Sequence, residues 1–259
     1  GGAGVAIELL EKKVVSKIVI NDLDKGIYSF WRAILEETDK FLEQVNTIPL
    51  TIAEWKKQRH ICFEDNKKYS FELGFATFYM NRTNRSGIIK AGAIGGVEQS
   101  GLWKLDARFN REDLIFRIKK IAKNKSKIHL YNKDIKSFLE KYLPKYKENV
   151  FIYFDPPYFN KGKQLYLNFF DYNDHIRIKK LIDNTFNCDW VITYDDEPEI
   201  EKIYEKYCIK KIELNYSMAK KRKANELIIF KDIIEIPSLN DLKTKDIDFN
   251  LREGKLKND

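Results

Sequence analysis

The sequence predicts an α/β fold with a parallel sheet and a mostly helical insertion. Short apolar runs rich in β-branched residues alternate with amphipathic helical segments in the first and last parts of the chain. This alternation is typical of parallel sheets, because a helix connects each strand to the next. Between residues 41 and 110 the alternation stops, and helical segments and a long glycine-rich stretch take its place. The interruption indicates that an insertion separates two parts of one sheet domain.

The first part of the sheet domain is predicted to cover residues 1–39. A glycine-rich turn at residues 1–4 leads into a helical stretch from Val5 to Leu10. The β-branched run Lys17–Ile20 predicts a buried strand, and residues Gly26–Glu37 predict a helix with one apolar face. The order loop, helix, strand, helix is the expected start of a parallel sheet.

Residues 40–110 are predicted to form an inserted domain with a small core of its own. Helical periodicity covers Ile52–His60 and Tyr69–Met80, and a polar, glycine-rich stretch follows from Asn81 to Leu105. A loop of this length inside a compact domain is usually functional or mobile, and is seldom only a connection. We therefore expect this stretch to do more than link two helices.

The second part of the sheet domain is predicted to cover residues 111–236. Asn110 is a favourable helix N-cap, with Asp113 three residues later. The elements that follow are, in order, helix Arg111–Ala122, strand Lys127–Tyr131, helix Ile135–Tyr142, strand Val150–Phe154, helix Asp174–Phe186, strand Trp190–Thr193, helix Pro198–Tyr207, and a hairpin of strands Ile209–Leu214 and Glu226–Phe230. Residues 237–259 are expected to be a polar, frayed tail.

Charge favours a polyanionic partner, but only weakly. The chain has 47 Lys and Arg against 39 Asp and Glu, a net charge of +8. Excess lysine also serves solubility alone, so charge by itself leaves both interpretations open. The basic residues cluster at Lys119–Lys127, at Lys220–Lys223 and around Arg82, Arg85 and Arg108. Aromatic residues lie among these segments, a mixture that suits backbone phosphates and stacked bases.

Cysteine and histidine positions argue against a disulfide framework and a metal site. These residues are scattered and form no CxxC pair; they are Cys62, Cys188, Cys208, His60, His129 and His175. No apolar run approaches the roughly 20 residues that span a bilayer. We therefore expect a cytoplasmic monomer without a metal ion or a membrane partner.

The most informative motif is Asp155-Pro156-Pro157-Tyr158, directly after the apolar strand Phe151–Phe154. Ligands of open parallel sheets bind beyond the carboxyl ends of the strands. Two prolines fix the backbone and remove two N–H donors, so that their carbonyl oxygens can only accept. A carboxylate, a carbonyl and an aromatic ring projecting together suit an aromatic amine. The alternative is a turn that only ends the strand.

This motif resembles the catalytic motif of amino-group methyltransferases that use S-adenosylmethionine. The wider chain is similar to Dam-type DNA adenine-N6 methyltransferases of the alpha group. Supporting segments occur in the family's order, namely GGAG at 1–4, INDLD at 20–24, NRTNRSG at 81–87, ARFN at 107–110, NKD at 132–134, VITYDD at 191–196 and NYS at 215–217. The resemblance implies a Rossmann-like methyltransferase sheet with an inserted DNA-recognition domain. It also implies S-adenosyl-L-methionine as cofactor and double-stranded DNA as partner.

The spacing between a glycine loop and an acidic residue points independently to an adenosine cofactor. Glycines let the backbone approach a ligand, and an acidic residue about 20 positions later can hold ribose hydroxyls. Asp22 lies at about this distance from Gly4. Because the loop is not GxGxxG, a dinucleotide is less expected than another adenosine cofactor.

The resemblance assigns further roles to the cofactor residues. Gly1, Gly2 and Gly4 belong to the cofactor loop. Asp22 is expected to bind the ribose, Asp134 the adenine amino group, and Ile135 the face of the adenine ring. Asp134 is equally a candidate N-cap of the helix that follows, and the two roles are compatible.

The expected reaction begins with a target adenine that is flipped out of the duplex. Tyr158 would stack on the base, while Asp155 and the Pro156 carbonyl accept hydrogen bonds from its amine, and Pro157 keeps the loop rigid. Methyl transfer is then an in-line displacement driven by positioning and electrostatics. Cytosine-C5 methylation is excluded because it needs a cysteine nucleophile, after proline in that family, and the chain has no Pro-Cys pair.

The segment NRTNRSG predicts contacts to the DNA backbone. The candidate residues are Asn81, Arg82, Thr83, Arg85, Ser86, Arg108 and Asn110. Arginines can grip phosphates while the smaller polar residues position the backbone. The alternative is a helix C-terminus, with arginines near the negative end of the dipole and Gly87 as a stop. The Lys220–Lys223 turn fits DNA contact and a solvated hairpin tip equally well, and the role of Tyr194–Asp196 stays open.

The chain begins within the glycine motif, whereas the family it resembles has an N-terminal segment and a strand before it. We expect a longer chain or another chain to supply that segment, and this chain alone to bind S-adenosylmethionine weakly or not at all. Two alternative functions stay open, an RNA or protein amino-group methyltransferase and a catalytically silent DNA-binding fragment. So do the biological settings of restriction-modification, phage DNA protection, and replication or repair.

Overall fold

The computed structural model describes residues 2–64, 68–146, 149–160, 170–185, 188–216, 222–231 and 250–252. The chain divides into two compact units, residues 1–138 and 139–259. Within the described ranges, every helix is too short or too polar to span a bilayer. In those same ranges no three His, Cys, Asp or Glu side chains gather as ligands for a metal ion.

The first unit contains seven helices and two strands among the described residues. These are α1 Gly4–Glu11, β1 Ile18–Asn21, α2 Lys25–Glu36, α3 Thr38–Thr47, α4 Ile52–Glu64, α5 Phe71–Thr83, α6 Arg111–Ala122, β2 Ile128–Tyr131 and α7 Ile135–Ser137. Short 3-10 turns lie at Arg85–Gly87, Leu105–Arg108 and Lys125–Lys127. Strands β1 and β2 pair in parallel, with Ile18 opposite Ile128 and Asn21 opposite Tyr131. Their carboxyl ends therefore coincide.

Close contact between α2 and α5 organises the first unit. Asp24 caps α2 by accepting a hydrogen bond from Ile27 N at 3.0 Å. A Cβ atom on Gly74 of α5 would lie 2.4 Å from the carbonyl oxygen of Ser29 on α2. A Cβ on Gly26 would lie 2.5 Å from Thr77 Oγ1 in the same way. Glycine is needed at position 74 because the two helix backbones touch there. At Gly26 the space is filled by the buried Thr77 side chain, whose Oγ1 donates to Leu73 O at 2.8 Å.

The core of the first unit does not follow the predicted insertion boundary. Phe41, Phe75 and Tyr79 are fully buried in the same hydrophobic cluster as Trp31 and Ile34 of α2. The expectation of a separate small core for the insertion was therefore wrong, because α5 packs its apolar side chains directly on α2. The division at residues 39, 110 and 236 stays a prediction.

The second unit contains a mixed sheet of five described strands. A π-helical turn at Phe138–Tyr142 and a 3-10 turn at Leu143–Lys145 follow α7. The remaining elements are β3 Phe151–Phe154, α8 Tyr172–Thr185, β4 Asp189–Asp195, α9 Pro198–Ile203, β5 Cys208–Tyr216, β6 Arg222–Phe230 and β7 Asn250–Arg252. The strand order is β3-β4-β6-β5-β7, with β3 parallel to β4 and the other neighbours antiparallel.

Alternation along β4 builds the core of the second unit. Trp190, Ile192 and Tyr194 are buried on one face of the sheet. Tyr194 contacts the rings of His175 on α8 and of Tyr204 just after α9. This packing fixes α8 and α9 on that face.

Most predicted elements agree with the structure, and four differ. Helix α3 was not expected, the helix predicted over Ile135–Tyr142 changes to a π-turn at Phe138, and the helix predicted to reach Tyr207 ends at Ile203. The expected tail includes a short strand, β7, which pairs with β5. The hairpin of β5 and β6 is confirmed, and Lys220 and Lys221 of its turn lie outside the described residues. The described strands form two sheets, one in each unit, instead of the one sheet that the resemblance implies.

Candidate functional site

The carboxyl ends of β1 and β2 are joined by side-chain amides. Asn21 Nδ2 donates to Lys133 O at 3.0 Å, and Lys133 N donates to Asn21 Oδ1 at 3.1 Å. Asn132 Nδ2 donates to Asp22 O at 2.7 Å. These bonds hold the loop after β1, which carries Asp22, beside the loop after β2, which carries Asp134. The sequence segments INDLD and NKD therefore meet at one sheet edge.

Asp22 is half-buried in the first of these loops and orders it. Its Oδ1 accepts a hydrogen bond from Asp24 N at 2.9 Å. Burial raises the pKa of Asp24, and the negative charge of Asp22 adds to this rise. A carboxylate has capacity for several hydrogen bonds, so Asp22 can order its loop and accept from a ligand hydroxyl.

Asp134 caps α7, as one of the two interpretations of the sequence predicts. Its Oδ1 accepts a hydrogen bond from Ser137 N at 3.0 Å. The residue is exposed, and Ile135 beside it is half-buried. The cap uses one oxygen of a carboxylate that has two, so a contact to an adenine amino group is compatible with it.

The glycine loop lies next to open space. Helix α1 begins at Gly4, after Ala3 in the left-handed region at φ 46°. A Cβ atom on Gly2 or Gly4 would meet no heavy atom of the protein within 4 Å. Packing within the chain therefore does not explain these glycines, whereas close approach of a ligand would. Gly1 lies outside the described residues.

The loop after β3 carries the motif Asp155–Tyr158 at the carboxyl end of the strand. Asp155 is exposed, and Pro156, Pro157 and Tyr158 are half-buried. The Tyr158 hydroxyl donates to Glu226 Oε1 on β6 at 2.7 Å. The expected trio of carboxylate, proline carbonyl and aromatic ring therefore stands at a strand end, where parallel sheets bind their ligands.

Asp195, at the end of β4, holds the two residues after Tyr158. Phe159 N donates to Asp195 Oδ1 at 2.8 Å, and Asn160 N donates to Asp195 Oδ2 at 3.2 Å. The sequence left the role of Tyr194–Asp196 open and missed Glu226. The available signal was one acidic residue at the end of β4 and another within β6, but the pairing of these strands had to be known before it could be used.

Aromatic rings support this loop from the α8 side. His175 is fully buried, and its Nδ1 lies 3.0 Å from the Tyr194 hydroxyl. The Phe159 ring lies 5.3 Å from the His175 ring, centroid to centroid. Burial lowers the pKa of His175 and raises the pKa of Tyr194 well above its ordinary value. Both side chains are therefore neutral near pH 7, and they pack as a polar but uncharged support.

Three arginines of the predicted DNA-binding set gather after α5. Arg108 Nη1 donates to Asn81 O at 3.2 Å, and Arg82 Nη2 donates to Asn81 Oδ1 at 2.5 Å. Burial lowers the pKa of Arg82, and the positive charge of Arg108 adds to this effect. Arg85 is exposed on the 3-10 turn that follows. Two guanidinium groups held close together favour an anion between or beside them.

The polar residues of that set have structural roles. The Thr83 hydroxyl is buried and donates to Tyr79 O at 2.8 Å. Asn110 caps α6 by accepting from Asp113 N at 3.1 Å, and Asn81 Nδ2 donates to Gly87 O at 2.9 Å. Ser86 is exposed in the left-handed region at φ 57°. Of the predicted set, only the three arginines carry a positive charge, so the prediction of phosphate contacts depends on them.

Asn84 closes the loop that carries Arg85. It pairs with Ala93 in an isolated antiparallel bridge. Its buried side chain accepts from Trp55 Nε1 at 2.7 Å and donates to Ile89 O at 2.9 Å. Sequence reasoning missed this residue because its partners lie on another helix and across the loop.

The later part of the same loop presents apolar side chains. Leu102 and Trp103 are 88% and 66% exposed. Gln99 fixes their loop by donating to Ile94 O at 2.7 Å and accepting from Leu105 N at 3.1 Å. DNA-binding proteins use such apolar residues as wedges between base steps. Because this stretch is rich in glycine, the sequence did not predict an ordered loop that presents Leu102 and Trp103.

Comparison with known proteins gives a family match over most of the chain. Residues 1–218 match the model of the D12 class N6 adenine-specific DNA methyltransferases. The type II methyltransferase M.MjaIII of Methanocaldococcus jannaschii is 23% identical to the chain over 240 residues, which cover 82% of this chain and 77% of that protein.

Proposed function

The chain belongs to the D12 class N6 adenine-specific DNA methyltransferases, and on this premise we propose which residues perform the methylation and that the methyl donor is S-adenosyl-L-methionine. The activity is methylation of adenine in DNA. The observation that carries the residue assignment is the position of Asp155–Tyr158 at the carboxyl end of β3, with Tyr158 anchored by its hydroxyl.

The donor site is proposed at the edge of the first sheet. The open space beside Gly2 and Gly4 can accept a ligand against the backbone, and Asp22 and Asp134 offer carboxylates at two adjacent strand ends. In this proposal Asp22 accepts from the ribose hydroxyls, and Asp134 accepts from the adenine amino group while Ile135 packs on the ring. When bound, S-adenosyl-L-methionine supplies a methyl group on a positively charged sulfur, which leaves with the electrons of the broken carbon–sulfur bond.

Asp155 and the carbonyl oxygen of Pro156 are proposed to bind the exocyclic amine of a flipped adenine. Both atoms can only accept, so they fix the two N–H bonds and direct the nitrogen lone pair away from the base plane. The nitrogen forms the new bond to carbon and then releases one proton. Asp155 need not be a strong base, because the amine becomes acidic as the methyl group arrives, and its exposed carboxylate can pass the proton to water.

Phosphate binding is proposed at Arg82, Arg85 and Arg108. Repulsion between Arg82 and Arg108 would be relieved by a phosphate, which supports an anion site there. The exposed side chains of Leu102 and Trp103 are proposed to contact the bases from the same loop.

Methyl transfer to unmethylated plasmid DNA tests the proposal. Radiolabelled S-adenosylmethionine is incubated with the protein and DNA, and the digested nucleosides are separated to identify the labelled base. We expect N6-methyladenine, and at least a ~100-fold loss of rate in Asp155→Ala, because positioning of the amine is lost.

Asp189→Ala is the matched control, since Asp189 is an exposed carboxylate at the opposite end of the neighbouring strand β4. It should keep the wild-type rate. Label on cytosine, or full activity in Asp155→Ala, would contradict the assignment. DNA binding without any transfer would favour the silent DNA-binding alternative.

A further inference from the structure

Two acidic residues hold the catalytic loop from neighbouring strands. Asp195 on β4 and Glu226 on β6 are directly opposite each other in the antiparallel register. Side chains at directly opposed positions lie on the same face of a sheet. Both carboxylates accept hydrogen bonds from the loop that follows β3. The pair therefore forms one support that contacts the loop at two points.

Asp195 fixes the backbone of the loop. Its side chain is almost completely buried, with 7% of the residue exposed. Each of its oxygens accepts from one of two consecutive amides, Phe159 N at 2.8 Å and Asn160 N at 3.2 Å. If Asp195 lost one acceptor oxygen, one of these backbone N–H groups would lose its hydrogen bond. In an asparagine the NH2 group would take the place of that oxygen, so that two donors would face each other. The loop is therefore held in one conformation immediately after Tyr158.

Glu226 fixes the ring of the preceding residue. Its Oε1 accepts from the Tyr158 hydroxyl at 2.7 Å. A tyrosine ring held at Cβ by the backbone and at its hydroxyl by a carboxylate has little freedom to tilt. Stacking on a base depends on the plane of the ring, so this bond bears directly on the proposed role of Tyr158.

We propose that Asp195 and Glu226 are positioning residues that hold Tyr158 in the plane in which it stacks on the flipped adenine. This inference rests on the proposed function of the Asp155–Tyr158 loop. Asp195 sets the position of the backbone and Glu226 sets the tilt of the ring. Neither residue touches the base.

Asp196 provides a matched control for Asp195. It is the next residue in the chain and also a carboxylate, but it accepts from Lys211 Nζ at 2.9 Å and from Asn225 Nδ2 at 3.2 Å. These partners belong to the β5–β6 hairpin and not to the catalytic loop. A variant at this position tests the general effect of losing an acid at the end of β4.

Steady-state methylation of unmethylated plasmid DNA tests the backbone contact. Asp195→Asn should lower kcat about 10- to 100-fold, because a small misplacement of a positioning group has an effect of this size. The KM values for DNA and for S-adenosylmethionine should change by less than about threefold, because the substitution displaces the loop that positions the base and removes no group proposed to bind DNA or the cofactor. Asp196→Asn should keep the wild-type kcat.

A double-mutant cycle tests the ring contact. Tyr158→Phe keeps the ring and loses the hydroxyl, and Glu226→Leu loses the acceptor. If Glu226 acts through that hydroxyl, the double variant should be no slower than the slower single variant. Glu226→Gln retains an acceptor oxygen and should restore most of the rate lost in Glu226→Leu. Independent, multiplying losses in the double variant would overturn this part of the inference.

Hydrogen exchange gives a readout that needs no DNA. In Asp195→Asn the amides of Phe159 and Asn160 should exchange faster, while those of β4 exchange as in the wild type. If wild-type protein methylates adenine but these variants neither slow kcat nor change exchange, the positioning inference is wrong and the proposed function stands. If wild-type protein transfers no methyl group to adenine, the proposed function fails and the inference with it.

Discussion

His175 shows how burial decides the charge of a single side chain. Its ring is enclosed by Phe159, Phe170 and Tyr194, and its Nδ1 is bonded to the Tyr194 hydroxyl. Burial lowers the pKa of His175 below its ordinary value of 6.5, although the nearby Asp195 charge opposes this effect. The folded second unit therefore contains a neutral imidazole behind the loop that follows β3.

This burial predicts a dependence of stability on pH. Below pH 6.5 the unfolded chain binds a proton at His175 more readily than the folded chain does. The free energy of unfolding therefore decreases as the pH falls. Above 6.5 both forms are neutral and the effect vanishes. The urea midpoint of the wild type should fall between about pH 6.5 and about pH 5, and the fall should be smaller in His175→Gln. His60→Gln, at an exposed histidine on α4, is the control. Equal slopes for wild type and His175→Gln would refute the prediction.

The limits of sequence reasoning are visible at single residues. Asp155–Tyr158 could be found because its four residues are consecutive and follow an apolar strand. Glu226 could not, because its partner Tyr158 is 68 positions away in the chain. Asp195 was within a noted motif, but only the pairing of β3 with β4 brings it to the loop. Contacts within a motif can be predicted from sequence, and contacts between strands need the sheet register.

At the scale of elements, the contact between α2 and α5 depends on two glycines. A Cβ on Gly74 would meet backbone atoms of Ser29 and Phe30, with the closest at 2.4 Å. A backbone neighbour cannot rotate away as a side chain can. The two helices would have to separate, and the fully buried Phe75 beside Gly74 would lose contacts.

Gly74→Ala should therefore destabilise the first unit. Alanine favours a helix over glycine by about 1 kcal/mol, whereas overpacking of this kind costs about 1–3 kcal/mol or more. We expect a net loss of free energy of unfolding, measured by urea denaturation with tryptophan fluorescence. Gly4→Ala is the control, because a Cβ there meets nothing within 4 Å. A Gly74→Ala variant as stable as Gly4→Ala would show that the helices separate at no cost.

Elements with clear start and stop signals were predictable, and α3 was not. Asn110 predicted the start of α6, and a β-branched run predicted β1. Between α2 and α3 the single residue Glu37 ends one helix and begins the next, with no glycine or proline there. Phe41 and Val45 of α3 are fully buried at helical spacing, but without a separating signal the segment did not stand out.

At the scale of the whole molecule, charge should set the affinity for DNA. The net charge of +8 attracts DNA to the protein as a whole. Only basic groups that contact phosphates, however, release the counterions of DNA on binding. Of the three proposed phosphate contacts, Arg85 is the exposed one, and its loss should disturb the fold least.

Arg85→Gln should weaken DNA binding in a salt-dependent way. The slope of log K against log salt concentration should fall in magnitude by about 0.9, the value for one phosphate contact. Fluorescence anisotropy with labelled duplex DNA at several salt concentrations measures it. Arg177→Gln removes the same charge from an exposed arginine that pairs with Asp174 on α8, and should leave the slope unchanged. An identical slope in wild type and Arg85→Gln would remove Arg85 from the interface.

The family of the whole chain was predictable because ordered motifs survive changes in the residues between them. The match of residues 1–218 to the D12 class confirms the prediction of an adenine-N6 DNA methyltransferase. The finer assignment to the Dam-type enzymes of the alpha group stays a prediction. The expectation of a separate core for the insertion was wrong because α5 is buried on almost every side, so its sequence marks no single apolar face and does not indicate which helices cover it.

The bridge between Asn84 and Ala93 has a consequence for the position of Arg85. Arg85 N bonds to Gly92 O at 3.0 Å and Ile94 N bonds to Thr83 O at 2.9 Å, so the two ends of the segment meet at a fixed seam. Between these ends, Asn81 Nδ2 donates to Gly87 O and Asn84 Nδ2 donates to Ile89 O, so the segment is tied to the end of α5 along its length. Ile89 also packs against the core of the first unit. The exposed Arg85 therefore projects from a backbone that α5 holds in place, and a change in the length of the segment would move the point from which this charge extends into solvent.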